Sequence, residues 1–397
     1  MLFNKITPLE FEIDEILRLF TTNSFFISDW NKSEDEISFP NKLLNPCKEN
    51  IDKNKNKYIF SDELQEIKSY FTSNVHKVFH EVIDEEKFCI MNNGTSGLFL
   101  TFLALKNKNN NNILVFNPSY FTYINVFNNI GLNYHFLNTD IYSSCLQIDS
   151  DMLKNFIIDK KINIVIITDP LFGIGISIAE ITYETIVALC NELNIWLVVD
   201  YLYGGMVWDT SNHIVNSFLF DLQRKNDKMI VVESISKRLF LNGIKNCLVY
   251  ANKDIINDIE NLSVSFIGSI SCIQIDIFKE IYSIQNLLEI NNLISENIKK
   301  IKQCYELLKT LIMGTDLYIS DSNSSYFTLL GIPYSKLKNL NGVKAAQHIA
   351  IKTDIITIPH ERYGYILEGF YTFRVNLTSK KDLLFLNINK LLNVNFN

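Results

Sequence analysis

Short apolar runs without polar alternation, separated by amphipathic stretches, constrain this chain most. From about residue 60 the runs are "IMNN", "NILVF", "NYHFL", "NIVIIT", "IWLVVD", "MIVVES" and "CLVYA". Between them lie segments such as "SGLFLTFLALKNK" and "AEITYETIVALCNEL", whose apolar positions recur three and four apart, as on one face of a helix. A half-buried strand alternates polar and apolar residues, whereas "IVIIT" and "WLVVD" are apolar on both faces. That pattern predicts a mostly parallel sheet covered by helices on both sides, a three-layer α/β/α domain.

After about residue 252 the rhythm changes to long helical stretches, followed by "DLYISD", "SSYFTLLGI", "GVKAAQHIAIKT", "DIITIP" and "FYTFRVNL". This reads as a smaller α+β domain. The expected boundaries are 45–275 for the large domain and 1–44 with 276–397 for the small one, joined by a long helix at about 275–314. A helix at about 8–20 is expected to join the small domain.

The chain has 397 residues, 47% of them hydrophobic, with 28 Phe and 18 Tyr, enough for a sizeable core. Its net charge of −7, without any Lys/Arg block, lacks the electrostatic footprint of nucleic-acid or anionic-membrane binding. No apolar run approaches the roughly 18 residues that span a bilayer. The seven cysteines are scattered, without a CxxC pair, and read as reduced thiols of a cytosolic protein. His76 and His80 lie four apart on an expected helix, but without further ligands they do not make a metal site.

Open α/β sheets bind ligands outside the carboxyl ends of their strands, so the residues after each apolar run carry the chemistry. "NNGTSG" places Gly94, Thr95 and Ser96 at a helix start, suited either to capping the helix or to receiving an anion on its N–H groups. "FNPSYFTY" places Tyr120 at a turn, as packing or as the cover of a flat ring. In "WLVVDYLYGG" a strand ends on Asp200 with Tyr203 three residues on; the carboxylate suits a helix cap, a metal ligand or a site group. "ESISKRLFLNGIK" puts Lys237 just beyond a strand, with Ser234, Ser236 and Lys245 around it. Alone, such a lysine is a solvated charge; desolvated beside another cation, it becomes a nucleophile toward a carbonyl.

Taken in chain order, the glycine-hydroxyl turn, the aromatic, the Asp-x-x-Tyr, the Ser-x-Ser-Lys and the late "FRVNL" resemble the fold-type I pyridoxal-phosphate enzymes, in particular the aspartate aminotransferase-like class I/II group. The resemblance runs from about 58 to 380. It implies pyridoxal 5'-phosphate as cofactor, held on Lys237 by a Schiff base, with Lys237 later moving the substrate Cα proton. It assigns Asp200 to the pyridine nitrogen, Tyr203 to the phenolic oxygen and Tyr120 to the ring face. Gly94, Thr95, Ser96, Ser234, Ser236 and Lys245 fall to the phosphate, with Lys245 standing where the family usually has arginine. Tyr58 matches a tyrosine that reaches the phosphate of a neighbouring subunit, which implies a homodimer. Arg374 matches the arginine that grips a substrate α-carboxylate, so an amino acid is the implied substrate and a 2-oxo acid a further one.

The match departs at "DPLFGIG", where Phe172 replaces an asparagine bonded to the cofactor, and at His360, where relatives often have glycine. Both are expected on the substrate side. Transamination is the expected reaction, and these departures favour its alternatives, a lyase, decarboxylase, oxidase or cyclase. A third reading is a binding protein that has kept the fold and lost the chemistry.

Overall fold

A computed structural model of the chain describes residues 24–29, 58–59, 61–139, 146, 148–209, 216–363 and 367–396. The helix expected at about 8–20 lies outside the described residues, as do Cys47 and Cys145.

The strands are β1 (Phe25–Phe26), β2 (Phe88–Met91), β3 (Asn112–Asn117), β4 (Asn133–Asn138), β5 (Ile164–Thr168), β6 (Trp196–Tyr201), β7 (Met229–Glu233), β8 (Cys247–Tyr250), β9 (Tyr318–Ile319), β10 (Phe327–Pro333), β11 (Ile355–Ile356) and β12 (Phe370–Asn376). Seven of them form one sheet in the order β2-β8-β7-β6-β5-β3-β4. Only β8 runs against its neighbours, so the sheet is mostly parallel as the apolar runs predict.

The helices around it are α1 (Ser61–Phe79), α2 (Gly94–Asn107), α3 (Thr122–Ile130), α4 (Ser150–Asp159), α5 (Glu180–Glu192), α6 (Ser217–Arg224), the single turn α7 (Ile235–Arg238) and α8 (Lys253–Phe266). Alternate residues of each central strand go to opposite faces. Ile164, Ile166, Val198 and Val232 pack with α2, α3 and α8, and Val165, Ile167, Val199 and Val231 pack with α4, α5 and α6. Each fully buried Val or Ile stabilises by roughly 1.5–3 kcal/mol, which is why runs apolar on both faces choose the centre of such a sandwich.

The stretch expected as one helix at 275–314 is two, α9 (Cys272–Ile281) and α10 (Ile284–Ile312). The break has a packing cause. Tyr282 sets its ring 4.6 Å from Phe71 and 4.7 Å from Phe278, and its carbonyl accepts from Asn74 Nδ2 at 3.0 Å. Beyond α10, β9, β10 and β12 form an antiparallel sheet in the order β12-β10-β9, β1 pairs with β11, and α11 (Gly342–Thr353) and α12 (Lys381–Asn393) complete the described chain.

Candidate active site

A cleft of about 210 Å³ opens at the carboxyl ends of β5, β6 and β7 and the start of α2. Asp200 reaches it from β6, where its partner in register on β5 is Thr168. The carboxylate is fully buried, and Tyr123 donates its hydroxyl to Oδ2 while the Leu202 N–H donates to Oδ1 at 3.2 Å. Burial pushes its pKa up to about 6, and the two hydrogen bonds pull it down. Among the described residues no cation pairs with it.

Beyond β7, Lys237 enters from α7, and its Nζ stands 5.0 Å from the centre of the Tyr203 ring. The serines on either side hold this turn. Ser234 Oγ donates to Asn246 O at 2.5 Å, and Ser236 Oγ donates to Ile244 O at 2.6 Å. Both face the cleft, yet their hydroxyl protons fasten the returning strand of chain to the lysine turn. Lys245, at the end of that segment, has its pKa lowered by burial and then by the nearby Lys237 charge.

At α2, Asn93 caps the helix and lines the cleft with Gly94 and Thr95. Ser96 does not join them as expected. Its N–H donates to Asn93 Oδ1 at 2.9 Å and its Oγ accepts from the Asn93 N–H at 3.2 Å, a capping box, while its hydroxyl donates to Asn93 O at 2.8 Å and so has no proton left for an anion. Gly94 admits a close approach, because a Cβ there would come within 2.5 Å of the Leu202 δ-methyls.

Tyr120 and Phe172 form the roof, with ring centres 5.5 Å apart. Phe172 also packs on Tyr203, Phe121, Phe26 and Ile358. Arg374 and His360, expected on the substrate side, do not line the cleft. Arg374 is fully buried, its Nε and Nη2 both donate to Ser28 O at 3.1 and 3.0 Å, and its guanidinium lies 4.4 Å from the Phe327 ring centre. His360 lies under Gly173, with its pKa pushed down to about 3 by burial and by Arg374. Tyr58 is 72% exposed and away from the cleft.

Sequence reasoning missed Asn93, Thr168, Asn242 and Asn246 as lining residues and the pairing of Tyr123 with Asp200. The Asn93 cap was readable from "NNGTS"; the Tyr123 contact joins residues 77 apart and had no local signal.

The model of the family "Aminotransferase class I and II" matches residues 40–384. A Thermus thermophilus aspartate aminotransferase double mutant superposes with a TM-score of 0.81 at 14% identity, over 98% of this chain and 97% of that one. An Escherichia coli protein with a methionine aminotransferase function gives 0.80 at 14%, over 99% and 100%. The 1-aminocyclopropane-1-carboxylate synthase 2 of Solanum lycopersicum is 28% identical over 108 residues, 26% of this chain and 22% of that enzyme. The synthase 1 of Prunus mume is 30% identical over 129 residues, 28% of this chain and 26% of that enzyme. The matched region is thus about a quarter of the length of these curated relatives.

Proposed function

Since the chain belongs to the class I and II aminotransferase family, whose members depend on pyridoxal phosphate, we propose that it is an enzyme acting at Cα of an amino acid, with transamination as its reaction. The observation that carries this is the Lys237 amine above the Tyr203 ring, beside a buried carboxylate that lacks a cation among the described residues.

The donor set fits the cofactor. A protonated pyridine nitrogen is the charge complement that Asp200 lacks, Tyr120 offers a flat face, and the α2 N-terminus at Gly94 and Thr95 with Lys245 suits a phosphate. When bound, pyridoxal phosphate supplies an electron sink that acidifies the substrate Cα proton. Lys237 takes that proton and returns it, Asp200 keeps a positive charge in place at the ring nitrogen, and Tyr203 and Phe172 close the site to water. Ser234 and Ser236 hold the lysine turn while the amine moves.

An amino acid and a 2-oxo acid are the substrates of this reading, and the exposed Tyr58 supports a homodimer in which it meets the second copy. Domains at 45–275 and at 1–44 with 276–397 belong to the same proposal. Among the described residues no helix is long and apolar enough to cross a membrane, and Cys89, Cys190 and Cys247 are free thiols, which supports a cytosolic site of action.

Phe172 favours a second reading. It puts a hydrocarbon ring where the family has a hydrogen-bonding amide, and the curated relatives are synthases of a cyclic amino acid. One experiment separates the two: the holoenzyme is mixed with single amino acids and no 2-oxo acid. A transaminase converts one equivalent of cofactor to its amine form and releases one equivalent of 2-oxo acid. Turnover beyond one equivalent with the aldehyde form retained means elimination, decarboxylation or cyclisation instead.

A further inference from the structure

Arg238 follows the reacting amine directly, and the reaction above does not use it. Its side chain is fully buried, and Nη2 stands 3.0 Å from Oε2 of Glu233, which is 2% exposed. Glu233 ends β7 and Arg238 ends α7, so the ion pair closes the turn that carries Lys237. Successive residues of a helical turn point about 100° apart. Lys237 therefore opens on the cleft while Arg238 drops beneath the sheet end, among Tyr201, Tyr250 and Tyr282.

The same guanidinium supports a second wall of the site. Gly205 has φ +69°, and a Cβ there would meet Arg238 Cδ and Nη1 at 3.0 Å, so the loop bearing Tyr203 rests on Arg238. One side chain thus braces both members of the Lys237–Tyr203 contact. Stability alone does not account for a pair of this kind, because apolar side chains of similar volume often serve a buried site as well or better. A charged pair at a fixed distance sets the direction of the turn, which apolar contacts do less strictly.

We propose that the buried Glu233–Arg238 pair is a positioning device that sets the Lys237 amine over Tyr203. It rests on the reading of Lys237 as the reacting amine.

The test uses the full chain, with Arg238→Lys and the double variant Glu233→Met with Arg238→Met, each checked for folding by thermal denaturation. The first readout is the rate at which pyridoxal phosphate becomes attached to Lys237, trapped by borohydride. The second needs no cofactor: the ratio of Lys237 to Lys245 acylation by an amine reagent, read by peptide mass spectrometry. The folded double variant is expected to attach the cofactor about tenfold more slowly and to lose the wild-type ratio, because small displacements of a reacting group cost rate steeply. Arg238→Lys restores most of both. A folded double variant with wild-type rate and ratio overturns the proposal. Failure of the wild-type chain to attach pyridoxal phosphate sinks the functional reading instead, and the acylation ratio then decides the positioning role alone. If the double variant does not fold, Glu233→Gln takes its place, and a wild-type ratio in that variant overturns the proposal.

Discussion

Asp200 and Arg374 are both charged and both buried, but only Asp200 lines the cleft, and the two are held by different groups. Asp200 has neutral donors only, from Tyr123 and Leu202, and faces the cleft. Arg374 does not line it and is joined to the Ser28 carbonyl and the Phe327 ring. A buried charge without a counter-ion is costly and marks a place where a ligand is expected to supply one. Arg374 does not line the cleft, and its bonds to the Ser28 carbonyl tie β12 to the segment beside β1. We therefore read the sheet end, where Lys237 and Asp200 line the cleft, as the reacting side.

The largest effect expected is at Lys237. Lys237→Ala should abolish borohydride-trappable cofactor attachment and lower turnover by about 10⁴-fold, with an unchanged melting temperature, since proton transfer by a placed side chain is worth that order. A melting temperature that falls with activity would mean the lysine is structural.

At Arg374 the expectation reverses. Arg374→Leu removes both hydrogen bonds to Ser28 O and should cost about 4 kcal/mol in denaturant titration, the scale of losing a buried charged donor. Cofactor attachment to the remaining folded protein should persist. Unchanged stability with loss of amino-acid binding would place Arg374 on the substrate instead and break the contrast between the two charges.

For Asp200 the pH response follows from its raised pKa. The folded carboxyl holds its proton up to about 6, whereas unfolded it releases it near 3.8, so stability is full below the lower value and is lost as pH rises through the upper one. In the cofactor-free protein Asp200→Asn should remove about 3 kcal/mol of that loss between pH 4 and 7, at 1.36 kcal/mol per pH unit. Asp169, also pushed up to about 6, leaves a second loss of the same sign in the variant. Denaturation of both proteins at the two pH values measures it.

The smallest effect sharpens the comparison at the cleft itself. Phe172→Asn should cost about 2 kcal/mol through lost apolar packing while raising the single-turnover yield of the cofactor's amine form. No change in yield would separate Phe172 from the choice of reaction.

Much of the sheet-end wall was readable before any coordinates. Lys237, Asp200 and Tyr203 each follow an apolar run, and parallel strands bring their carboxyl ends together whatever lies between. The exceptions are instructive. Ser96 turned into its helix because Asn93 needed a capping partner, and Ser234 and Ser236 spent their hydroxyls on carbonyls 12 and 8 residues away. Side-chain direction depends on partners that a local pattern does not specify.

The setting of Arg374 was not readable in the same way. Ser28 and Arg374 lie 346 residues apart, and their hydrogen bond depends on how β12 and the segment beside β1 meet. The same holds for Arg238, to which the sequence assigned no role until the turn set it buried opposite Glu233. Sequence by itself determined the period of the elements, hence the parallel sheet and the order of chemical groups at its edge, because hydrophobic patterning is local. Tertiary structure alone decided which charges face the cleft and which are tied down. That choice is made by desolvation, which depends on every neighbour at once.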